Sequence, residues 1–374
     1  MKILFIFGTR PEAIKMAPLI KTFQQYPEFN VRVCVTGQHR QMLDQILSFF
    51  QIKPDYDLNI MQPNQTLFSI TAKILLGLEP ILEEFQPDNI WIQGDTTTVM
   101  ASSIAASYKK IVISHLEAGL RSGNKNSPFP EEINRIITSH IADYHFAPTP
   151  LAVQNLANEG ITKNVYMVGN TVIDALLLGL TMIQQQGEKK YYEFFKNIDF
   201  SKRIILITGH RRESFGKPFE KMCEAIKEIA LAYSDVELIY PVHFNPNVRK
   251  TVSNILENIK NIHLIEPLDY PYLIWIMNQS YLVLTDSGGI QEEAPTLGKP
   301  VLVMRDVTER QEGIDAGTAK LVGTSKSVII HETKNLLDNP ESYQKMANAV
   351  NPYGNGTTSQ QIIKIYKSIS RLIF

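Results

Sequence analysis

Cysteine is nearly absent from this sequence: Cys34 and Cys223 are the only two in 374 residues. Two cysteines cannot form the disulfide framework of a small secreted protein, and neither lies in a Cys/His spacing typical of zinc. The chain also lacks a Gly-x-Gly-x-x-Gly loop, a Walker loop and a His-Glu-x-x-His motif. We therefore expect no metal and no cofactor, in a protein of the reducing cytoplasm.

An excess of charge and long apolar runs are missing too. Lysine and arginine number 37 against 38 acidic residues, which leaves a net charge of -1 and argues against nucleic-acid binding. No apolar run reaches the roughly 18 residues of a membrane span. Residues 1–7 begin like a signal peptide, but they lack a cleavage site and continue into Gly8-Thr9-Arg10. They are interpreted as a buried first strand, and no membrane partner is expected.

Short apolar runs alternate with amphipathic helical stretches such as residues 11–26. The length exceeds that of one ordinary core, which predicts two domains. We predict an α/β protein with two Rossmann-like, doubly wound domains facing across a cleft: residues 1–169, residues 170–356, and a last helix over 357–374. The predicted strands are 2–7, 31–36, 89–93, 111–114, 144–146 and 165–168, followed by 203–208, 236–241, 262–265, 281–284 and 300–303.

Five polar stretches follow predicted strands. Ligands of open parallel sheets bind at the carboxyl ends of the strands, so these stretches are candidates for one site. They are Gly8-Thr9-Arg10-Pro11-Glu12, Gln93-Gly94-Asp95-Thr96, His115-Leu116-Glu117-Ala118-Gly119, Gly209-His210-Arg211-Arg212-Glu213 and residues 285–293.

Several of these residues suit a nucleoside diphosphate. Ser287-Gly288-Gly289 opens a predicted helix, whose free N–H groups attract anions, and His210 belongs to a run of cationic side chains. Arg10 and Lys15 flank the first helix start. Glu293 lies about one turn further in and suits a ribose diol. The alternatives are a plain turn, ordinary surface cations and a solvated glutamate.

Three carboxylates come from separate stretches: Asp95 and Glu117 at strand ends and Glu131 at a helix start. Carboxylates that share a site raise one another's pKa, which permits acid–base chemistry near neutrality. Individually, Asp95 also fits a helix N-cap and Glu131 a favourable first-turn charge. Their conjunction favours the catalytic interpretation.

Taken together, the motifs resemble those of the bacterial non-hydrolysing UDP-N-acetylglucosamine 2-epimerases, essentially from end to end. Besides the five stretches, the resemblance rests on Gln38-His39-Arg40, Pro130-Glu131-Glu132-Ile133-Asn134-Arg135, the run 285–303 and Asn351-Pro352-Tyr353-Gly354. It implies a glycosyltransferase-B-like fold, a homodimer and a last helix that crosses back to the first domain. It also implies interconversion of UDP-N-acetylglucosamine (UDP-GlcNAc) and UDP-N-acetylmannosamine (UDP-ManNAc).

The resemblance also implies roles by position. The catalytic set is Asp95, Glu117, Glu131 and His210. The UDP-binding set is Arg10, Lys15, His210, Ser287, Gly288, Gly289, Glu293 and Arg310. Gln38, Gln41, Gln65, Arg211 and His243 match an allosteric site for a second UDP-GlcNAc, which shares Glu131. Asn64 stands where regulated members carry arginine, which predicts a weakened activator site.

For the reaction, we expect elimination of UDP to a 2-acetamidoglucal and re-addition on the other face. The product would supply N-acetylmannosamine for cell-surface polysaccharide. A hydrolysing 2-epimerase, a retaining glycosyltransferase of the same fold and a non-catalytic nucleotide-sugar sensor are the alternatives.

Overall fold

The computed structural model describes residues 1–37, 40–62 and 64–373. Their contacts divide the chain into two units. Unit 1 comprises Met1–Leu178 and Tyr353–Phe374, and unit 2 comprises Gly179–Pro352. These divisions fall at 178/179 and 352/353, whereas the boundaries predicted from the sequence are 169/170 and 356/357.

Unit 1 is built on a parallel sheet of seven strands in the order β3-β2-β1-β4-β5-β6-β7. The strands are β1 (Lys2–Phe7), β2 (Asn30–Val35), β3 (Tyr56–Asp57), β4 (Asn89–Gln93), β5 (Val112–Leu116), β6 (Tyr144–Ala147) and β7 (Val165–Met167). The helices are α1 (Arg10–Phe23), α2 (Arg40–Phe49), α3 (Leu67–Phe85), α4 (Thr97–Tyr108), α5 (Glu131–Ile141), α6 (Pro150–Asn158) and α7 (Thr171–Gln186), the last of which continues into unit 2. β1 and β4 are almost continuously buried, as expected of parallel strands covered by helices on both faces.

Unit 2 has a second parallel sheet, of six strands, in the order β10-β9-β8-β11-β12-β13. The strands are β8 (Arg203–Thr208), β9 (Val236–Pro241), β10 (Ile262–Ile265), β11 (Leu282–Thr285), β12 (Val301–Val303) and β13 (Ala319–Leu321). The helices are α8 (Lys189–Phe194), α9 (Lys217–Ala232), α10 (Pro246–Leu256), α11 (Tyr270–Gln279), α12 (Gly288–Glu293), α13 (Gln311–Asp315), α14 (Lys326–Asp338) and α15 (Pro340–Ala347).

The last helix, α16 (Thr358–Ile373), belongs to unit 1. Its Tyr366 is buried among the aromatic rings of Phe23, Phe29 and Trp91, at centroid distances of 5.5 to 5.9 Å. The buried carboxylate of Asp174 on α7 accepts the backbone N–H groups of Thr358 and Ser359, at 3.2 and 2.7 Å. Two chain segments far apart in sequence therefore complete one core.

Both cysteine thiols are buried and free, and burial raises the pKa of each to about 12. Within residues 1–37, 40–62 and 64–373, no helix combines the length and the apolar character that a membrane crossing requires.

Candidate active site

The sheet of unit 1 reverses its strand order between β1 and β4. From β1 the chain proceeds outward to β2 and β3, then returns to add β4 on the other side. Ligands of open α/β sheets bind in the crevice at such a switch point, outside the carboxyl ends of the strands. The polar stretches that follow β1, β4 and the next strand, β5, therefore leave neighbouring strands at one edge of the sheet.

Glu12 holds two of these stretches together. Its buried carboxylate accepts the backbone N–H groups of Gly8 and Thr9, at 3.0 and 2.7 Å, and the hydroxyl of Thr96 at 2.7 Å. Burial raises the pKa of Glu12, and these hydrogen bonds oppose the rise. The loops after β1 and β4 are thus fixed to each other by one side chain from the first turn of α1.

Glu117 follows β5 directly and has φ +64, a backbone conformation that residues other than glycine rarely adopt. Its carboxylate lies 2.5 and 2.7 Å from Lys15 Nζ and accepts hydrogen bonds from the amides of Gln93 and, at 3.2 Å, Asn170. The residue is only 8% exposed. Strained backbone held by surrounding contacts clusters at functional sites, so Glu117 is the strongest catalytic candidate.

Asp95 is held by α5. Arg135 approaches its Oδ2 with Nε at 2.9 Å and Nη2 at 2.7 Å, and Asn134 donates to its backbone carbonyl at 2.8 Å. Arg135 also pairs with the buried Glu132 at 2.9 Å. Burial alone would raise the pKa of Glu132, but hydrogen bonds from Ser122 and the contact with Arg135 outweigh it and lower the pKa.

Glu131 is the first residue of α5, one turn before the residues that hold Asp95. Its Oε2 is shielded from solvent and has no hydrogen-bond partner among the described residues. A buried oxygen without a partner is costly and calls for an explanation. A role in accepting a proton from a bound ligand would explain it.

The environment of these carboxylates differs in one respect from the sequence-based expectation. Asp95 contacts Arg135 and Glu117 contacts Lys15, so two of the three carboxylates have a cation beside them. The N-cap of α4 is Thr96, whose hydroxyl accepts from Val99 N at 3.4 Å, and the capping alternative for Asp95 is therefore wrong. Glu131 does occupy the first turn of its helix.

His115, on β5, contacts the loop that follows β4. It is 1% exposed, and its Nε2 lies 2.8 Å from the carbonyl oxygen of Gly94. A carbonyl can only accept, so Nε2 carries the proton and Nδ1, which has no partner among the described residues, is bare. Burial lowers the pKa of His115 to about 4, against the opposing hydrogen bond. The imidazole is therefore neutral near pH 7.

Unit 2 has its own switch point, between β8 and β11. The fully buried Asp286, just after β11, accepts the backbone N–H groups of His210 and Arg211 with Oδ2, at 2.6 and 2.7 Å. The His210 ring lies with Nδ1 at 3.5 Å from Asp286 Oδ1 and stacks on His243 at a centroid distance of 5.1 Å. Asp286 thereby fixes the loop that presents His210.

Ser287 is the N-cap of α12, and Gly288 and Gly289 form the first turn of that helix. A Cβ at Gly288 would lie 2.8 Å from Oε1 of Glu309, the far end of a flexible, half-exposed side chain. Glu293 ends α12 and accepts the hydroxyl of Tyr270 at 3.1 Å. Arg310 forms an ion pair with the buried Glu292.

Comparison with known proteins identifies the family. A family model described as UDP-N-acetylglucosamine 2-epimerase matches residues 21–367. The chain is 53% identical to the UDP-N-acetylglucosamine 2-epimerase of Escherichia coli strain K12, over 98% of this chain and 99% of that protein. The chain belongs to the UDP-N-acetylglucosamine 2-epimerase family. The predictions of this family and of an isomerase are confirmed.

Solved structures agree. The UDP-GlcNAc 2-epimerase from Neisseria meningitidis, bound to UDP-GlcNAc, is 49% identical and superposes with a TM-score of 0.90 over 98% of this chain and 100% of that one. A sucrose-phosphate synthase from Thermosynechococcus elongatus is 12% identical with a TM-score of 0.65, which shows a shared fold alone. The predicted α/β fold class of the glycosyltransferase-B type is confirmed.

The residues predicted for the second, allosteric site of this epimerase family lie in both units. Gln41 is in the first turn of α2, and Gln65 donates to the carbonyl of Ile60. His243 accepts from Asn245 N at 3.1 Å, and Arg211 lies 3.8 Å from Glu309. Gln38 lies outside the described residues. The allosteric assignment stays a prediction.

Four residues that hold these loops in place were not assigned from the sequence: Glu12, Gln93 and Asn170 in unit 1, and Asp286 in unit 2. All four are buried, and each contacts a loop that is close in space. Glu12, Gln93 and Asp286 lie inside the polar stretches that follow predicted strands, and this position in the sequence could have marked them as candidates. Asn170 carries no such signal, because its partner Glu117 is far away in sequence.

Proposed function

We propose that the chain interconverts UDP-GlcNAc and UDP-ManNAc by inverting C2 of the sugar. The observation that carries this proposal is the strained, buried Glu117 carboxylate, held by Lys15 beside the loop that bears Asp95. Such an arrangement supplies fixed acid–base groups at the carboxyl edge of the sheet, where an α/β fold binds its ligand.

The chemistry of the substrate explains why several acid–base groups are needed. The C2–H of the sugar is not adjacent to a carbonyl and is barely acidic. Breaking the C1–O bond first sends its electron pair to UDP and leaves positive charge at C1, which acidifies C2–H. A carboxylate then takes the proton, and the C–H electrons form the C1–C2 double bond of a 2-acetamidoglucal. Return of a proton to the opposite face of C2 and of the UDP oxygen to C1 gives the epimer.

Asp95, Glu117 and Glu131 are the proposed proton donors and acceptors. Lys15 Nζ lies 2.5 Å from Glu117 Oε1 and forms an ion pair with that carboxylate. Glu131 Oε2, buried without a partner among the described residues, has a lone pair available for a substrate proton. Inversion removes a proton from one face of C2 and returns a proton to the other, so at least two acid–base groups are required.

UDP leaves as an anion and must be stabilised. The proposed UDP-binding groups are Arg10, Lys15, His210, Ser287, Gly288, Gly289, Glu293 and Arg310. His210 is also proposed to assist departure of UDP, as its ring is 41% exposed while its backbone is fixed by Asp286. Glu293 suits the ribose diol.

Three finer statements belong to the same proposal. The product would supply N-acetylmannosamine for cell-surface polysaccharide, the enzyme would act as a homodimer, and UDP-GlcNAc would also bind as an activator. The cytoplasmic location stays a prediction.

One incubation separates the alternatives. Pure protein is incubated with UDP-GlcNAc in D2O, and the products are identified by nuclear magnetic resonance. We expect UDP-ManNAc with deuterium at C2, because the proton removed from C2 exchanges with solvent before a proton is returned. Free N-acetylmannosamine and UDP would indicate a hydrolysing epimerase. Transfer that requires an added acceptor would indicate a glycosyltransferase, and no reaction would indicate a sensor. Glu117→Gln serves as the matched control, since it keeps the shape of the side chain and removes its charge.

A further inference from the structure

Asn170 lies between β7 and α7 and is 4% exposed. Its side-chain Nδ2 donates to Glu117 Oε1 at 3.2 Å. Its backbone N–H donates to the carbonyl of Tyr353 at 2.7 Å. One residue thus contacts both the candidate catalytic carboxylate and the point at which the chain returns to unit 1.

The orientation of the Asn170 amide is fixed by a third contact. Its Oδ1 accepts the backbone N–H of Val172 at 3.0 Å, so the oxygen faces that group and the nitrogen faces Glu117. Towards Glu117, the side chain is therefore a donor only. A carboxylate at position 170 would instead bring an acceptor to an acceptor.

The chain around Asn170 approaches the returning segment, residues 353–359, very closely. A Cβ on Gly169, at φ +89, would lie 3.1 Å from the Tyr353 carbonyl oxygen and 2.9 Å from Thr358 Oγ1. Gly354, at φ +133, lies against the backbone of Asn170. At Gly169 a side chain would obstruct the close approach, and at Gly354 the positive φ itself favours glycine.

We propose that Asn170 is a positioning residue for the reaction, which holds the Glu117 carboxylate and links its placement to the returning segment. The inference rests on the catalytic role proposed for Glu117. Hydrogen bonds to a charged group are about twice as strong as neutral ones, so the Asn170 contact matters for both geometry and charge.

The charged and titratable groups near Glu117 determine how a substitution of Asn170 should change the pH profile of the reaction. Lys15 touches the carboxylate, and the buried, neutral His115 is close enough to interact with it electrostatically. Exchanging the neutral donor of Asn170 for a carboxylate adds negative charge to this group. The acidic limb of the kcat/KM profile should then move to higher pH.

Asn170→Ser and Asn170→Asp test the proposal in the full-length protein. A serine hydroxyl can still accept from Val172 N–H but is too short to reach Glu117, so the local turn is preserved. Asn155→Asp is the matched control: the same change in unit 1, at a half-buried amide that donates to the Gly119 carbonyl at 3.0 Å. Rates against pH, UDP affinity and thermal melting are measured for each variant.

We expect Asn170→Ser to lower kcat about tenfold or more with UDP affinity unchanged. Asn170→Asp should lower kcat and shift the acidic limb upward by about one pH unit, whereas Asn155→Asp should do neither. Folded Asn170 variants with a normal kcat and pH profile would overturn the inference, as would a shift in Asn155→Asp of equal size. If Glu117→Gln itself remains fully active, the proposed role of Glu117 fails instead, which separates the two failures.

Discussion

The buried imidazole of His115 should make the stability of unit 1 depend on pH. In the folded chain burial lowers the pKa of His115 from its ordinary value of 6.5 to about 4. In the unfolded chain the ring is hydrated and titrates near the ordinary value. Between these two pH values the unfolded state therefore binds the extra proton, and acid favours unfolding.

The size of the effect follows from the two pKa values. Above pH 6.5 the ring is neutral in both states, and its full contribution is present. As the pH falls from 6.5 to about 4, the contribution is lost progressively. The difference of roughly 2.5 pKa units, at 1.36 kcal/mol each, amounts to about 3 kcal/mol of unfolding free energy at most.

The chain offers a direct assay, because one of its two tryptophans lies in each unit. In a Trp275→Phe background, the fluorescence of the buried Trp91 reports on unit 1 alone. Urea unfolding is followed from pH 7 to pH 4 with His115 present and with His115→Gln, whose amide can still donate to the Gly94 carbonyl but does not titrate. Groups that are shared by both proteins and do not interact with position 115 cancel in the comparison, whereas His145, which interacts with His115, is replaced by glutamine in both proteins.

The stability advantage of the histidine protein over the glutamine variant should shrink by about 3 kcal/mol across this range. A difference that stays constant with pH would refute the reasoning, because it would mean that His115 titrates alike in the folded and unfolded chains. Loss of the transition in both proteins at the same pH would assign the acid sensitivity to other groups.

Three further predictions concern activity. Asp95→Asn, Glu117→Gln and Glu131→Gln should each lower turnover by about 100-fold or more while UDP still binds; near-normal initial rates in all three would exclude the carboxylate mechanism. His210→Ala should weaken UDP binding and turnover together, since a charge-assisted contact worth roughly 1.5–3 kcal/mol is lost, and an unchanged UDP affinity in calorimetry would contradict that role. The reverse reaction from pure UDP-ManNAc should start slowly and accelerate when a little UDP-GlcNAc is added; full speed from the start would count against a second site.

Most strands were predictable because buried parallel strands are continuous apolar runs. The intervals 2–7, 89–93 and 203–208 agree with β1, β4 and β8 residue for residue. The edge strands β3 and β13 were not predicted, because two or three residues carry no periodic pattern. They form only by pairing with a neighbour that folding brings beside them.

The candidate site could be proposed from the sequence as a set of residues but not as a set of contacts. Asp95, Glu117 and Glu131 all lie in recognisable stretches, yet nothing in the sequence pairs Lys15 with Glu117, which lie 102 positions apart. Asp286 illustrates the same limit. Its motif indicates a phosphate loop, whereas its carboxylate binds the backbone of the His210 loop. Such roles depend on the tertiary fold, which brings separate loops together.

The placement of α16 in unit 1 has a consequence for biosynthesis. Unit 2 is a contiguous segment, so its core can close once Pro352 has left the ribosome. Unit 1 is translated mainly before it, yet lacks Tyr366 until α16 has been translated. Unit 1 begins to be translated before unit 2 but is completed after it, and Phe23 and Trp91 lack their contacts with Tyr366 on the nascent chain for the whole time that unit 2 is being translated.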